Sequence, residues 1–242
     1  MKKNMLFIMI ILSIFIFAGC DLFNTNDSYT IGDRGPANGI IFYDNDADND
    51  TGNADGLDSE TAGWRYLEAA PYDMQQYNNE PVLNHFEDTD YGFDFGYYRT
   101  SDEGNNLYVN GNTSYSSTTC TKTSIGEGET NTELLITAMG DTAYQQATGP
   151  NGNSLYAAKL CADLEYGGFD DWFLPSKDEL AAMEDQKAFI PNISESVNWI
   201  YYWSSSESNT SSEGSRVIHF IDGEESEGDR GDSLPVRSVR RF

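Results

Sequence analysis

Strand-like segments on both sides of a helical middle predict an α+β fold. Three observations carry this. β-Forming runs occupy 39–43 and 64–70, apolar residues recur at helical spacing in three stretches between 131 and 183, and β-formers return from 201 to the last residue.

The elements follow in chain order. Gly39-Ile40-Ile41-Phe42-Tyr43 lies between a Gly-Pro turn and an acidic loop at 44–59, the pattern of a buried strand. Trp64 to Ala70 reads as a second strand, ended by Pro71. Residues 72–130 are rich in Asn, Gly, Ser, Thr and Tyr, and read as long loops with a short hairpin. In the first helix Leu134, Leu135, Ala138 and Met139 share a face, with Asn131 as N-cap and Gly140 as stop. In the second, Tyr156, Ala157, Leu160, Cys161 and Leu164 make an apolar stripe. The third opens at Pro175-Ser176. Ser176 caps it and Glu179 reaches back to the cap amide, a capping box, with Leu180 and Met183 facing the core. Tyr201–Ser205, Arg216–Ile221 and Leu234–Phe242 read as strands, Asp222-Gly223 as a turn, and 224–233 as a charged, exposed connection.

The start of the chain carries a different message. Met1-Lys2-Lys3 precedes an apolar run from Met5 to Phe17 and then Ala18-Gly19-Cys20. A basic start, an apolar run and small residues make a secretory signal, here 1–19. The run is about 13 residues, short of the roughly 20 needed to span a bilayer. Phe17-Ala18-Gly19-Cys20 resembles a bacterial lipobox, which implies lipidation of Cys20. Residues 20–28 then read as a polar tether, and 29–242 as a single domain. The expected location is the bacterial cell envelope, periplasmic or surface-exposed, with the lipid anchor binding the membrane.

The net charge is −26, from 40 acidic against 14 basic residues, and Lys2 and Lys3 belong to the leader. Such a surface repels nucleic acid and other polyanions, so a nucleic-acid partner is excluded. Aromatics reach 13% of the chain, which argues for a packed domain and against disorder.

Residues 157–180 read AAKLCADLEYGGFDDWFLPSKDEL. With IGDRGPANGIIFYD at 31–44, GWRYLEAAP at 63–71, NTELL at 131–135, YWSSSE at 202–207 and VRSVRRF at 236–242, their order and spacing resemble the Lcl C-terminal domain-like family. That resemblance implies a C-type-lectin-like fold: small twisted antiparallel sheets, about three helices and long loops. The residues within these blocks have structural readings. Trp172 packs in the core, weighed against stacking on a ligand, Pro175 fixes φ before the third helix, and Asp171 takes backbone amides of its turn or an arginine of the last strand. Alternation puts Arg237 and Arg240 on opposite faces, one buried and paired, the other exposed. The Glu-Pro-Asn and Trp-Asn-Asp motifs by which C-type lectins hold sugar through calcium are lacking: Pro191-Asn192 follows Ile190.

Asp44, Asp46, Asp48, Asp50 and Asp55, with Asp58, crowd one loop. Calcium takes six to eight oxygens, so this loop is the candidate calcium site, against a solvated acidic loop with no ion. The EF-hand template fits poorly, with Asn49 and Asp55 where Gly and Glu are required. Cys120 and Cys161 either form a disulfide or remain separate, Cys161 as a small apolar core residue. Arg230-Gly231-Asp232 is the tripeptide that integrins recognise, weighed against a chance match. No nucleophile elbow, P-loop or dinucleotide fingerprint is present, and no catalytic residue is assigned.

The expected function is a lipid-anchored, non-catalytic binding module for a glycan or protein ligand, met by a rim near Tyr201, Trp203 and the 72–130 insert. Two alternatives stand beside it. One is an enzyme on a variant of the fold like the formylglycine-generating oxidases, which need an active-site cysteine pair. The other is a structural envelope lipoprotein with no small ligand.

Overall fold

The computed structural model describes residues 28–46, 62–77, 80–83, 92–96, 106–140, 156–193 and 201–242. The expected leader at 1–19, Cys20 and the acidic residues Asp48, Asp50, Asp55 and Asp58 lie outside them. The architecture is α+β. Strands β1 (Ile40–Asp44), β2 (Tyr66–Ala69) and β8 (Val239–Arg241) form an antiparallel sheet in the order β1-β2-β8. Strands β3 (Met74–Tyr77) and β4 (Glu80–Leu83) form a separate hairpin. A second three-stranded sheet, β5-β6-β7, is made of Tyr201–Glu207, Gly214–His219 and Glu225–Asp229. Helices α1 (Gly128–Met139), α2 (Ala157–Ala162) and α3 (Lys177–Asp185) lie between β4 and β5 in the chain. Among the described residues no helix is long and apolar enough to cross a membrane.

Two apolar clusters fill the interior, and two extended segments feed both. Trp172 and Leu174 point into one cluster with Leu135, Met139, Leu160 and Cys161, while Phe173 joins Phe42, Leu67, Leu180 and Val239 in the other. In β5, Trp203 joins the first cluster and Tyr202 the second. Alternation along an extended chain produces this split. Phe173 also exchanges backbone hydrogen bonds with Val239, at 2.8 and 3.0 Å, which locks the α2–α3 connection to β8.

Several expectations hold. Both N-terminal strands form, and the α2 stripe Tyr156, Ala157, Leu160, Cys161 and Leu164 is buried. Ser176 Oγ accepts from the Glu179 amide at 3.3 Å, and the Glu179 carboxylate accepts from the Ser176 amide at 2.7 Å, completing the capping box. Leu180 and Met183 are fully buried.

Others are corrected. Asn131 lies inside α1, which begins at Gly128. Its amide accepts from Lys122 N at 2.8 Å and donates to Lys122 O at 2.6 Å, so it fastens a neighbouring loop and caps nothing. The stretch 224–233 holds strand β7, paired with β6 along Ile218↔Glu225 to Gly214↔Asp229. Only Val239–Arg241 of the last expected strand is regular. Arg237 therefore lies ahead of the strand, alternation does not apply to it, and both Arg237 and Arg240 are buried and paired.

Candidate binding cleft

The chain leaving α2 makes a tight reversal at Tyr166–Phe169, closed by Tyr166 N to Phe169 O at 3.0 Å and Phe169 N to Tyr166 O at 3.1 Å. Gly167 and Gly168 have φ of 67° and 88°. A left-handed pair of this kind suits glycine in a two-residue hairpin turn. A Cβ on Gly167 would sit 2.7 Å from the Ala37 carbonyl oxygen, so the reversal presses against the Gly35–Gly39 turn. A Cβ on Gly168 would meet nothing within 4 Å.

Beneath the reversal lies a charged and aromatic support. The Trp172 ring packs against Tyr166 at 6.2 Å between centroids, and its Nε1 donates to Tyr166 O at 3.3 Å. The Arg240 guanidinium lies 3.8 Å from the centre of the Phe169 ring. It donates to both Asp171 oxygens, at 2.7 and 2.8 Å, and to Glu68 Oε2 at 3.2 Å. Glu68 is fully buried and also accepts from the amides of Gly39 at 2.7 Å and Ala37 at 3.1 Å. Burial pushes its carboxyl above the usual range, while those amides and Arg240 pull the other way. Gly39 is required here, because a Cβ would clash with the Ala69 carbonyl.

Above this support opens a cleft of about 430 Å³ lined by Glu165, Tyr166, Gly167, Gly168, Phe169 and Asp170. Two half-buried aromatic rings stand between two exposed carboxylates, and none of the lining residues is basic. Such a surface offers the accessible parts of two aromatic side chains to apolar patches of a ligand and acceptors to hydroxyl or amine groups.

The Lcl C-terminal domain family model matches residues 118–240, a span that contains the cleft and its Arg240–Asp171 support. The chain belongs to the Lcl C-terminal domain family. No curated protein matches the chain. Among solved structures it is similar to a fimbrial protein from Bacteroides ovatus ATCC 8483, at 11% identity and a TM-score of 0.43. That alignment covers 90% of this chain and 46% of the fimbrial protein, so the chain spans about half its length.

Within the Lcl C-terminal domain, Asp171, Trp172 and Arg240 come together under the cleft, and Pro175, Ser176 and Glu179 anchor the helix that follows. Burial pushes the Glu179 carboxyl up to about 7, opposed by the amides of Ser176, Gly126 and Gly128. Arg237 serves elsewhere, donating to Asp73 at 2.7 Å and to the carbonyls of Ala70, Pro191 and Asn192.

The expected rim does not form at Trp203. Both faces of β5 are buried, Trp203 is fully enclosed, and its indole N–H donates to Phe93 O at 2.6 Å. Tyr201 is half-buried, stacked on His219 at 4.6 Å, with its hydroxyl donating to Glu224 at 3.3 Å. Cys120 and Cys161 are free, buried thiols, so the disulfide is not present. Burial raises both, Cys161 to about 12. In the acidic loop, Asp44 is paired with Arg65 at 2.8 Å, and Asp46 lies 3.5 Å from the same guanidinium. Arg65 thus compensates these two carboxylates, and no cluster of three metal-ligating side chains occurs among the described residues. Arg230 is fully buried against Glu207 at 2.9 Å, which leaves no accessible Arg-Gly-Asp tripeptide.

The lining residues Glu165, Tyr166, Phe169 and Asp170 were not singled out from sequence. Their signal was the Gly-Gly dipeptide between two aromatics, which reads as a turn exposing its flanks.

Proposed function

We propose that this Lcl C-terminal domain is a lipid-anchored, non-catalytic binding module of the bacterial envelope, and that it holds a glycan in the cleft around Tyr166 and Phe169. The open cleft of about 430 Å³, with aromatic faces between acidic acceptors, carries the reading. Sugar rings present apolar faces for stacking and hydroxyls for carboxylates, and this lining supplies a partner for each. A glycan is favoured over a protein because the cleft is small and local. A sulfated or otherwise acidic glycan is disfavoured by Glu165, Asp170 and the net charge of −26.

A C-type-lectin-like arrangement belongs to the same proposal. Its support is the sheet that joins β1 and β2 to β8, with the long loops and helices looped out between them. The state of the cysteines supports the non-catalytic part. Both thiols are buried and raised, whereas a nucleophilic cysteine works as a partly exposed, lowered thiolate.

The test is a glycan array with and without calcium, using wild type and the Tyr166→Ala and Asp170→Asn variants. Binding of a neutral or amine-bearing glycan that both variants weaken, with melting temperatures kept, is the expected result. Binding that neither variant alters places the site elsewhere. Binding of the wild type to no glycan rejects the reading.

A further inference from the structure

Among the described residues, the exposed large apolar side chains are Phe189 and Ile221, 54% and 58% accessible. They belong to different turns, Phe189 after α3 and Ile221 between β6 and β7. The two turns are bound together. Lys187 Nζ donates to Ile221 O at 2.8 Å and also pairs with Glu184. Gly223, two residues past Ile221, lies so close to Glu184 that an added Cβ would sit 3.0 Å from its carboxylate.

The same end of the molecule receives the chain from its N-terminal side. The Phe189 ring lies over Gly32, where an added Cβ would come within 2.8 Å of Cδ1. Gly32 follows closely on Ser28, the first described residue, and Tyr29 is fixed against Tyr66 and Phe242 at 5.4 and 5.6 Å. Phe189 thus sits beside the segment with which the described chain begins, and Ile221 is tied to the Phe189 turn through Lys187. An extended tether between Cys20 and Ser28 reaches at most about 28 Å. The headgroup layer is only about 5–8 Å deep on each side of the hydrocarbon. Anchoring at Cys20 thus holds this edge within reach of the bilayer at high effective concentration.

The local charges select the kind of surface. Lys187 pairs with Glu184, and the Ile221 turn carries two exposed carboxylates, Asp222 and Glu224. An anionic leaflet gains nothing there. A zwitterionic headgroup layer accepts an aromatic ring and a branched aliphatic at its boundary. We propose that Phe189 and Ile221 form a membrane-facing edge that dips into zwitterionic headgroups of the bilayer holding Cys20. This rests on the reading of Cys20 as lipidated.

The experiment uses the acylated protein, made with its own leader and reconstituted into phosphatidylcholine vesicles. Spin labels go on Phe189→Cys, Ile221→Cys and, as a solvent control, Thr137→Cys on the exposed face of α1. Cys120 and Cys161 are buried, so labelling favours the new thiols. Flotation with the vesicles reports the anchor, and collision with oxygen against a water-soluble relaxer reports depth. The expected result is flotation, with the labels at 189 and 221 shifted toward oxygen and the label at 137 in water. Flotation with all three labels in water overturns the inference and leaves the anchor intact. Failure to float removes both. Equal shielding at 189 and 221 in the unacylated protein without vesicles assigns the edge to a protein contact and overturns the inference.

Discussion

Two buried arginines organise this molecule in contrasting ways. Arg230 is sealed: it donates to Glu207 at 2.9 Å and to the carbonyls of Leu107 and Gly214, with the Phe95 ring 5.1 Å away. Glu207 in turn accepts from Val109 N at 3.0 Å and takes Thr121, so this centre ties the 106–121 loop to the second sheet. Arg240 is buried as well, but one partner, Asp171, is 43% exposed, and the ring stacked on its guanidinium lines the cleft. One arginine is a clamp. The other is a clamp whose outer side is a potential binding surface. The same chemistry is enclosed where solvent is excluded and backs the wall of a cleft where it is admitted.

The largest effect should come from breaking the sealed centre. Arg230→Ala leaves Glu207 buried without its counter-charge, and a loss of about 3–5 kcal/mol is expected by chemical denaturation. A loss under 1 kcal/mol would mean that the two centres are not different in kind. Trp172→Ala removes the aromatic floor of the open centre, and about 3 kcal/mol or more should be lost, read as a fall in melting temperature. If the fold survives while glycan affinity falls, Trp172 is a positioning residue as well as a core residue.

A pH series sharpens the contrast, because Asp94 lies on the sealed side. Its neighbour Gly96 donates to the Arg230 carbonyl at 3.3 Å. Burial, and then the Asp232 charge, pushes the Asp94 carboxyl from 3.8 up to about 7. A carboxyl raised in the folded state binds its proton more tightly there than in the unfolded chain. Its contribution is therefore present at low pH and is lost as the pH rises from about 4 toward 7. After discounting for its partial exposure, roughly 1–2 kcal/mol should disappear across that window. Asp94→Asn should flatten the profile, and an unchanged slope would assign the effect to another group. The smallest effect belongs to Asp171→Asn. Asp171 is 43% exposed and Arg240 keeps Glu68 at 3.2 Å when that charge is removed, so under about 1 kcal/mol should be lost and the melting temperature should barely move, whereas a change in glycan affinity would show that Arg240 positions the cleft.

Local rules were legible where one element decides its own form. The capping box at Ser176 and Glu179, the apolar stripe of α2 and the strands at Ile40 and Tyr66 were all readable in the sequence. Readings failed where a partner decides. β7 runs Glu-Ser-Glu-Gly-Asp, with no β-forming signal, and is a strand because β6 offers it an edge. Asn131 carries the signal of a cap, but its amide is used across space by Lys122 and Ser205. Trp203 looked available because no local pattern reveals that β5 has a cluster on each face. The cleft was hidden for a similar reason. Gly167-Gly168 announces a turn, but only packing against Ala37 and Arg240 makes the turn the wall of a cavity.

The pairing of β2 with β8 sets the order of events during folding. Tyr66 and Phe242 exchange backbone hydrogen bonds at 3.0 and 3.2 Å, and Leu67 lies opposite Arg241. The central strand of the first sheet therefore lacks its second neighbour until the 239–242 segment docks, and Glu68 stays without Arg240 until then. Contacts so distant in sequence close late and slowly. Closure of the first sheet thus waits on partners 172 residues apart in the chain, whereas β5 and β6 pair as near neighbours.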